Sequence, residues 1–296
     1  MEYMRIEDQF PRLNNCAVTL GKFDGIHRGH RKLMDKILER KKETGVQAVV
    51  LAFVSDRKTV LTNSERRDFL EHMGADILLE CPLTSDIRHM KADTFVRQVL
   101  AGSLKASYVA IGEDFRFGFE RKGTPEFLKK SGVKYGFEVE ILLKEMDGSR
   151  KISSTYIREE LAKGNMEKVS SLLGFDYFVS GIVEHGRGRR EFFPTANLIP
   201  LPEKLLPPNG VYITLSSFGQ EIYPGITNVG YKPTVGENFI GVESYLFDCE
   251  KNLYGKNCTV EFRKFLRKEQ RFSSYEALKE QIQKDIRMGE EYFRRD

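Results

Sequence analysis

Two textures of hydrophobic patterning divide the chain. In the first, apolar runs of strand length alternate with amphipathic stretches. Cys16 to Leu20 is such a run, and Leu33, Met34, Ile37 and Leu38 then recur at helical spacing until Gly45. Val46 to Val54 follows, an apolar run of the kind buried on both faces of a parallel sheet. Ser64 to Met73 reads as a helix with Ser64 as N-cap and Gly74 as its end, before a short run from Asp76 to Leu79. Asp93 to Leu100 and Tyr108 to Ile111 give another helix and strand. Strand and helix alternate from residue 16 to about 143, which predicts a doubly wound α/β sheet with ligands outside the carboxyl ends of its strands.

Helices Thr155 to Gly164 and Met166 to Leu173 close this part. After Gly174, five strand patterns follow one another directly (175–185, 211–217, 221–230, 242–247 and 257–266), separated by Gly, Pro and Asn turns. That predicts an antiparallel sheet or small barrel, with a boundary near residue 176 and domains 1–176 and 177–296. A last helix, Ser273 to Phe293, carries Leu278, Ile282, Ile286 and Met288 and is expected to pack against the barrel.

Composition narrows the class. The chain has 296 residues, enough for two cores, and 30% of them are charged. Mean hydropathy is −0.42, and every apolar run is shorter than a membrane span. The opening MEYMRIEDQF lacks the basic-then-apolar pattern of a signal peptide, so a cytoplasmic protein is expected. Four scattered cysteines with no CxxC argue against disulfides and zinc. The net charge of +4 is spread among acidic residues rather than gathered in a basic arm, which argues against nucleic acid. The pattern assigns no oligomeric state.

Three stretches lie where a doubly wound sheet puts its ligands. Gly21 to His30, GKFDGIHRGH, reads as a glycine-rich turn between strand and helix, which suits a phosphate at the helix N-terminus. His27 and His30, three apart, can face one anion; as an isolated pair they could equally cap the helix, and a zinc pair has less support because no third ligand is near. Ile111 to Gly118, IGEDFRFG, sets Phe115, Phe117 and nearby Phe119 beside Arg116, a composition that fits a planar flavin or adenine as well as a turn. Ile152 to Arg158, ISSTYIR, offers hydroxyls and N–H groups at a helix start, either as caps or as an anion site.

The string G-x-F-D-G-x-H-x-G-H closely resembles the signature of the nucleotidylyltransferase superfamily in the form carried by prokaryotic FAD synthetases. The resemblance implies that His27 and His30 contact ATP phosphates and that Gly21, Phe23, Asp24, Gly25 and Gly29 are nucleotide-binding positions. IGEDFRFG is similar to the segment lining that family's adenylyltransferase site, which implicates Asp114. ISSTYIR matches its second hallmark, giving Ser153, Ser154, Thr155 and Arg158 to the triphosphate or departing pyrophosphate.

Phe193 to Asn197, FPTAN, is by itself an ordinary turn-forming stretch. With Gly210-Val211-Tyr212, Asn228-Val229-Gly230, Glu243 and Leu253-Tyr254-Gly255-Lys256 it resembles the bacterial riboflavin kinase module. That resemblance implies that Thr195 and Asn197 hold magnesium and ATP phosphate and that Glu243 is the base. Together the two implied modules convert riboflavin to FMN and FMN to FAD, with ATP, flavins and magnesium as the small molecules involved.

Two stretches depart from the family pattern. FVSDRKTVL stands where an F-x-P-H-P-like turn is usual, and HGRGRREFFPTAN is shortened, with Glu191 and Phe192 in place of Leu and Gly. The second departure keeps another reading open, an FMN adenylyltransferase whose second module binds flavin or regulates without phosphorylating. It also predicts a kinase slower than the adenylyltransferase. A flavin-binding or regulatory nucleic-acid protein is a third reading.

Overall fold

The computed structural model describes residues 1–54, 56–184, 195–234 and 237–295. By compactness the chain divides into Met1–Ser154 and Thr155–Asp296, ahead of residue 176, so the two helices after Ser153 go with the strand-rich part.

The first unit is built on a parallel sheet of β1 (Glu2–Arg5), β2 (Cys16–Gly21), β3 (Gln47–Val54), β4 (Ile77–Pro82), β5 (Ala106–Gly112) and β6 (Glu138–Leu142). Their spatial order is β1-β4-β3-β2-β5-β6. From β2 the chain winds outward through β3 to β4, then crosses back to β5 on the other side of β2. The switch point of this doubly wound sheet is therefore at the carboxyl ends of β2 and β5. Both faces are covered: Val18, Leu20, Val49, Leu51, Val109 and Ile111 join one core cluster, while the alternate residues Ala17, Ala48, Val50 and Ala110 are buried as well. That is why these strands read as apolar runs rather than as alternations.

Helix α1 (Arg28–Thr44) buries Leu33, Met34 and Ile37, packs on β2, β3 and β5, and ends at Gly45, whose φ of 72° is the left-handed cap. In α2 (Asn63–His72) the cap is Thr62 rather than Ser64. Thr62 Oγ1 accepts the Glu65 N–H at 3.2 Å and Glu65 Oε2 accepts the Thr62 N–H at 2.8 Å, a capping box that requires Glu three residues after the cap, which Ser64 lacks. Helices α3 (Ser85–His89) and α4 (Ala92–Thr94) follow.

The expected helix 93–100 is mostly a π-helix, Phe95–Ser103. Its wider turn is closed by Leu104 N–H donating to Val99 O at 2.8 Å, and one extra residue per turn leaves no trace in a 3.6-residue pattern. Helix α5 (Pro125–Tyr135) leads to β6, and the short hairpin β7 (Met146–Asp147) and β8 (Arg150–Lys151) closes the unit.

In the second unit, α6 (Ser154–Lys163) and α7 (Met166–Leu173) precede an antiparallel sheet. Its strands are β9 (Phe178–Ile182), β10 (Thr195–Leu198), β11 (Gly210–Phe218), β12 (Glu221–Thr234), β13 (Glu237–Leu246) and β14 (Asn257–Arg267), in the order β10-β13-β12-β11-β14-β9. The sheet curls into a half-barrel, and Glu184 N–H donating to Asn197 O at 2.8 Å joins its two ends. A buried chain of hydroxyls, Thr214 to Thr227 at 2.7 Å and Thr227 to Ser244 at 2.8 Å, crosses three strands.

The described part of the PTAN stretch is a strand and not a turn: Thr195–Leu198 pairs with β13, because that strand supplies the ladder partners that an isolated Thr and Asn do not announce. Helix α8 (Tyr275–Phe293) packs on β12, and Arg267 holds its buried Asp285 through contacts of 2.7 and 3.0 Å.

Candidate active sites

In the first unit a cavity of about 560 Å³ opens over the carboxyl ends of the strands. Gly21 and Lys22 come from the end of β2, Phe53 from β3, Leu83 from just after β4, Gly112 and Asp114 to Gly118 from the end of β5 and the loop after it, and Leu142 to Glu145 from the end of β6 and just beyond. Ile152, Ser153 and Ser154 complete the wall, so all three expected stretches meet in one cavity, at the place the topology requires.

The opening motif organises the polar side. His27 is the N-cap of α1, and its Nδ1 accepts the His30 N–H at 3.3 Å. The capping reading and the anion reading are thus compatible: a ring accepting at Nδ1 carries its proton, when neutral, on Nε2, which is then a donor. The two imidazoles stack at 3.8 Å and 15°, and Phe23 closes the other side of His30 at 4.6 Å.

The motif glycines make room for these rings. A Cβ on Gly21 would come within 3.2 Å of the Phe23 ring, and one on Gly29 within 3.3 Å of the His27 ring. The left-handed positions of the turn belong instead to Phe23 (φ 46°) and the β-branched Ile26 (φ 44°), both fully buried. Asp24 holds this turn from behind, its Oδ1 accepting the Val60 N–H at 2.9 Å and its carbonyl the Leu61 N–H at 3.0 Å. Phe23, Asp24 and Gly25 are accordingly not part of the cavity wall.

Burial makes the histidines poor bases. Desolvation, with Lys144 adding to it, pushes His27 down to about 4, while nearby Asp114 works in the opposite direction. His30 is driven well below its usual value by burial, by His27 and by Lys144. Both rings are neutral at pH 7, and His30 Nδ1 is buried with no hydrogen bond. Asp114 pairs with Lys144, and Glu145 is held by Arg28 at 3.0 Å and by Lys32.

Part of the wall is apolar. Phe53, Phe95, Phe115, Phe117, Leu83 and Met90 line it, with Phe115 and Phe117 stacked at 5.6 Å and 20°. A Cβ on Gly118, whose φ is 70°, would lie 2.7 Å from the Ala92 backbone, so glycine is required for this loop to lie down on α4. Sequence reasoning missed Lys144, Leu83 and Met90; the signal available for the first two was their place just beyond a strand, whereas Met90 follows helix α3.

In the second unit three expected residues converge. Register places Asn197 opposite Glu243 on one side and Asn228 opposite it on the other. Thr195 Oγ1 donates to Glu243 Oε1 at 2.7 Å, and Asn197 Nδ2 lies 3.3 Å from Thr195 Oγ1. A hydroxyl, an amide and a carboxylate thus stand together, half-buried or buried, on paired strands. Thr155 and Arg158 belong to this unit through α6. The shortened 186–193 segment and its arginines lie outside the described residues.

Comparison with known proteins agrees with this geometry. A family model described as FAD synthetase matches residues 9–156, and one described as riboflavin kinase matches residues 173–293. Proteins named bifunctional riboflavin kinase/FMN adenylyltransferase are similar over nearly the whole length. The one from Escherichia coli K12 is 34% identical, covering 94% of this chain and 93% of its own, and the one from Pseudomonas fluorescens is 35% identical, covering 93% and 92%. That from Haemophilus influenzae is 33% identical over 95% of each chain. A solved structure described as a macrolide-efflux protein from Streptococcus pneumoniae superposes with a TM-score of 0.85 at 27% identity, covering 96% of this chain and 97% of its own. Among the described residues no helix is long and apolar enough to cross a membrane. With one family model matched over residues 9–156, the other over 173–293, and relatives of one name aligned across both units, the chain belongs to the bifunctional riboflavin kinase/FMN adenylyltransferase family.

Proposed function

We propose that this chain makes FAD from riboflavin in two ATP-dependent steps, with adenylyl transfer in the cavity of the first unit and phosphorylation at the Thr195, Asn197 and Glu243 cluster of the second. The observation that carries the reading is that His27, His30, Ser153 and Ser154 share one cavity with an aromatic wall, at the switch point of a parallel sheet. Such a cavity offers donors to phosphates at one side and a flat apolar face to an isoalloxazine ring at the other.

The chemistry of the two steps differs as the residues do. In adenylyl transfer an FMN phosphate oxygen attacks the α-phosphorus of ATP, the α–β bridging bond breaks, and its electrons leave with pyrophosphate. FMN's phosphate, a monoester, has a second pKa of about 6, so it is already an anion at neutral pH and needs no base. Neutral histidines are then in their useful form, because they donate N–H groups to phosphate oxygens without having to be charged. In the kinase step the riboflavin 5′-hydroxyl is a neutral alcohol. Glu243 takes its proton as the oxygen attacks the γ-phosphorus, and ADP leaves. Thr195 donating to Glu243 holds that carboxylate in one orientation.

Magnesium fits the second site as a hard cation held by few protein oxygens. Among the described residues no group of three or more His, Cys, Asp or Glu is placed to hold a metal, whereas Thr195 and Glu243 put two oxygens side by side and the Asn197 amide adjoins them through its nitrogen. Thr195 and Asn197 would hold it together with substrate phosphates, and when bound it would offset their charge. Ser153 and Ser154 in the cavity take the triphosphate or pyrophosphate role, to which the family resemblance also assigns Thr155 and Arg158, and we place the enzyme in the cytoplasm with small molecules as its partners.

Incubation with ATP and magnesium, followed by chromatography of the products, tests the reading. FMN should yield FAD, and riboflavin should yield FMN and then FAD. Absence of FAD from FMN would overturn the first assignment; absence of FMN from riboflavin would leave an adenylyltransferase with a non-phosphorylating second module. We also propose that the units fold separately, so that a 155–296 fragment gives a cooperative thermal transition; a fragment that never folds alone would count against it.

A further inference from the structure

We propose that Lys144 is the cation that meets the phosphates of ATP in the first unit, exchanging its partner Asp114 for phosphate oxygens when the nucleotide binds. This rests on the reading of the cavity as an adenylyltransferase site.

Position is the first argument. Lys144 stands just beyond β6 and lines the same cavity as His27, His30, Ser153 and Ser154. Its backbone is held on both sides of the site: Ile152 N–H donates to Glu145 O at 2.9 Å across the base of the hairpin, and Lys144 N–H reaches toward Glu113 Oε1 at 3.5 Å. The backbone from which the ammonium extends is thereby tied to the strand that leads into Ile152 and Ser153, which line the same cavity.

Charge is the second. Four negative charges of a triphosphate are brought to two imidazoles that carry none at pH 7, since burial depresses both. Neutral donors orient phosphates, but a compact point charge is what offsets them. Lys144 is close enough to act electrostatically on both rings, so it shares their field. The other cations of the wall, Lys22, Arg88, Arg116 and Arg121, are exposed, where salt and water weaken them. Arg88 and Arg116 are also bound to carbonyls, through Leu83 O at 2.7 Å and Phe115 O at 2.8 Å.

The asymmetry of the ion pair is the third. Lys144's side chain is 22% exposed and that of Asp114 is 57% exposed, so the cation is the inner member and the carboxylate the outer. An exchange leaves the cation in place and returns the carboxylate to water, where it is solvated at little cost. Until then Asp114 keeps a partly buried ammonium from standing unpaired.

The experiment compares the full chain with Lys144→Met and Lys144→Arg in FAD formation from FMN, which reads the first unit alone. The expected result is a KM for ATP raised about 10- to 100-fold in the Met variant, as for loss of a hydrogen bond to a charged group. The KM for FMN should change less than about threefold, and arginine should restore most of the loss. By NMR titration the His27 imidazole should move upward from about 4 in the Met variant, because one of the influences holding it down is gone. An unchanged KM for ATP overturns the proposal, and so does an equal rise for both substrates that arginine fails to rescue. Should the Met variant not fold, Lys144→Gln is read in its place. Wild-type protein that makes no FAD from FMN would instead defeat the underlying reading.

Discussion

The two units assemble reactive groups in opposite ways. In the parallel unit the strands spend their side chains on two buried faces, so the chemistry moves to the loops beyond β2, β5 and β6. Those loops are fixed by packing: Phe23, His30 and His27 form a stack of rings, and Asp24 ties the turn to Val60. In the antiparallel unit Thr195, Asn197 and Glu243 are strand residues, and the register of β10, β13 and β12 positions them. A loop site supported by buried rings holds neutral imidazoles beside a lysine; a strand site holds a half-buried carboxylate. The difference matches what the proposed nucleophiles require, an anion that needs donors and an alcohol that needs a base.

Removing the base should produce the largest effect. Glu243→Gln keeps the strand and a hydrogen-bond acceptor but removes the proton acceptor, so FMN formation from riboflavin should fall about 10²- to 10⁴-fold. FAD formation from FMN should stay within a few-fold, both read by chromatography. Substantial FMN formation in that variant would mean that the strand site works without a carboxylate base, and the contrast would collapse.

Next in size is the ring stack. His30→Ala should lower FAD formation from FMN about 10²- to 10³-fold while leaving FMN formation intact. His30→Phe sharpens the test, since it keeps a ring between Phe23 and His27 but removes the nitrogens. If Phe restores activity, the imidazole serves only as packing.

Acid should separate the units as well. His27 is neutral when folded, with its value lowered from 6.5 to about 4, so the unfolded chain binds the proton first. Stability is therefore complete above about pH 6.5 and is lost as pH falls from there toward 4, on the order of 3 kcal/mol for this group. Buried His30 adds in the same direction. His27→Gln should flatten the pH dependence of denaturant unfolding in this window, and an equally steep loss in the variant would show that other groups carry it.

The sequence pattern made the layers legible because burial on both faces, helical periodicity and a change of texture after Gly174 are long-range features. The residues it singled out that come together in one cavity lie where a residue type and a sharp turn coincide, at His27, His30, Ser153 and Ser154. Strand β10 was hidden because Thr195 and Asn197 gain their extended form from a partner some 48 residues away in the chain. Lys144 was hidden for another reason: a lysine after a strand looks like any solvated charge until Asp114 and the histidines are placed around it. The π-helix at Phe95 and the left-handed backbone of Ile26 are consequences of packing, with no local signature.

The smallest expected effect tests how far support for the loop site extends from it. Asp24 grips Val60 and Leu61, and Thr62 follows at once as the cap of α2. The cap and the grip are thus successive links of one chain segment, from the histidine turn to a helix that points no side chain at the cavity. Thr62→Ala removes the acceptor of the Glu65 N–H and half of the capping box, which typically costs about 1 kcal/mol. Ser64→Ala removes only a hydroxyl 3.1 Å from Thr62 Oγ1 and should cost less. Because the segment is also what Asp24 holds, Thr62→Ala should lower FAD formation a few-fold in step with its lost stability, while FMN formation is unchanged. Denaturant midpoints and the two product assays measure all three quantities. A Ser64→Ala loss equal to that of Thr62→Ala would return the cap to Ser64. A stability loss without any change in FAD formation would show that Asp24 holds the histidine turn on its own.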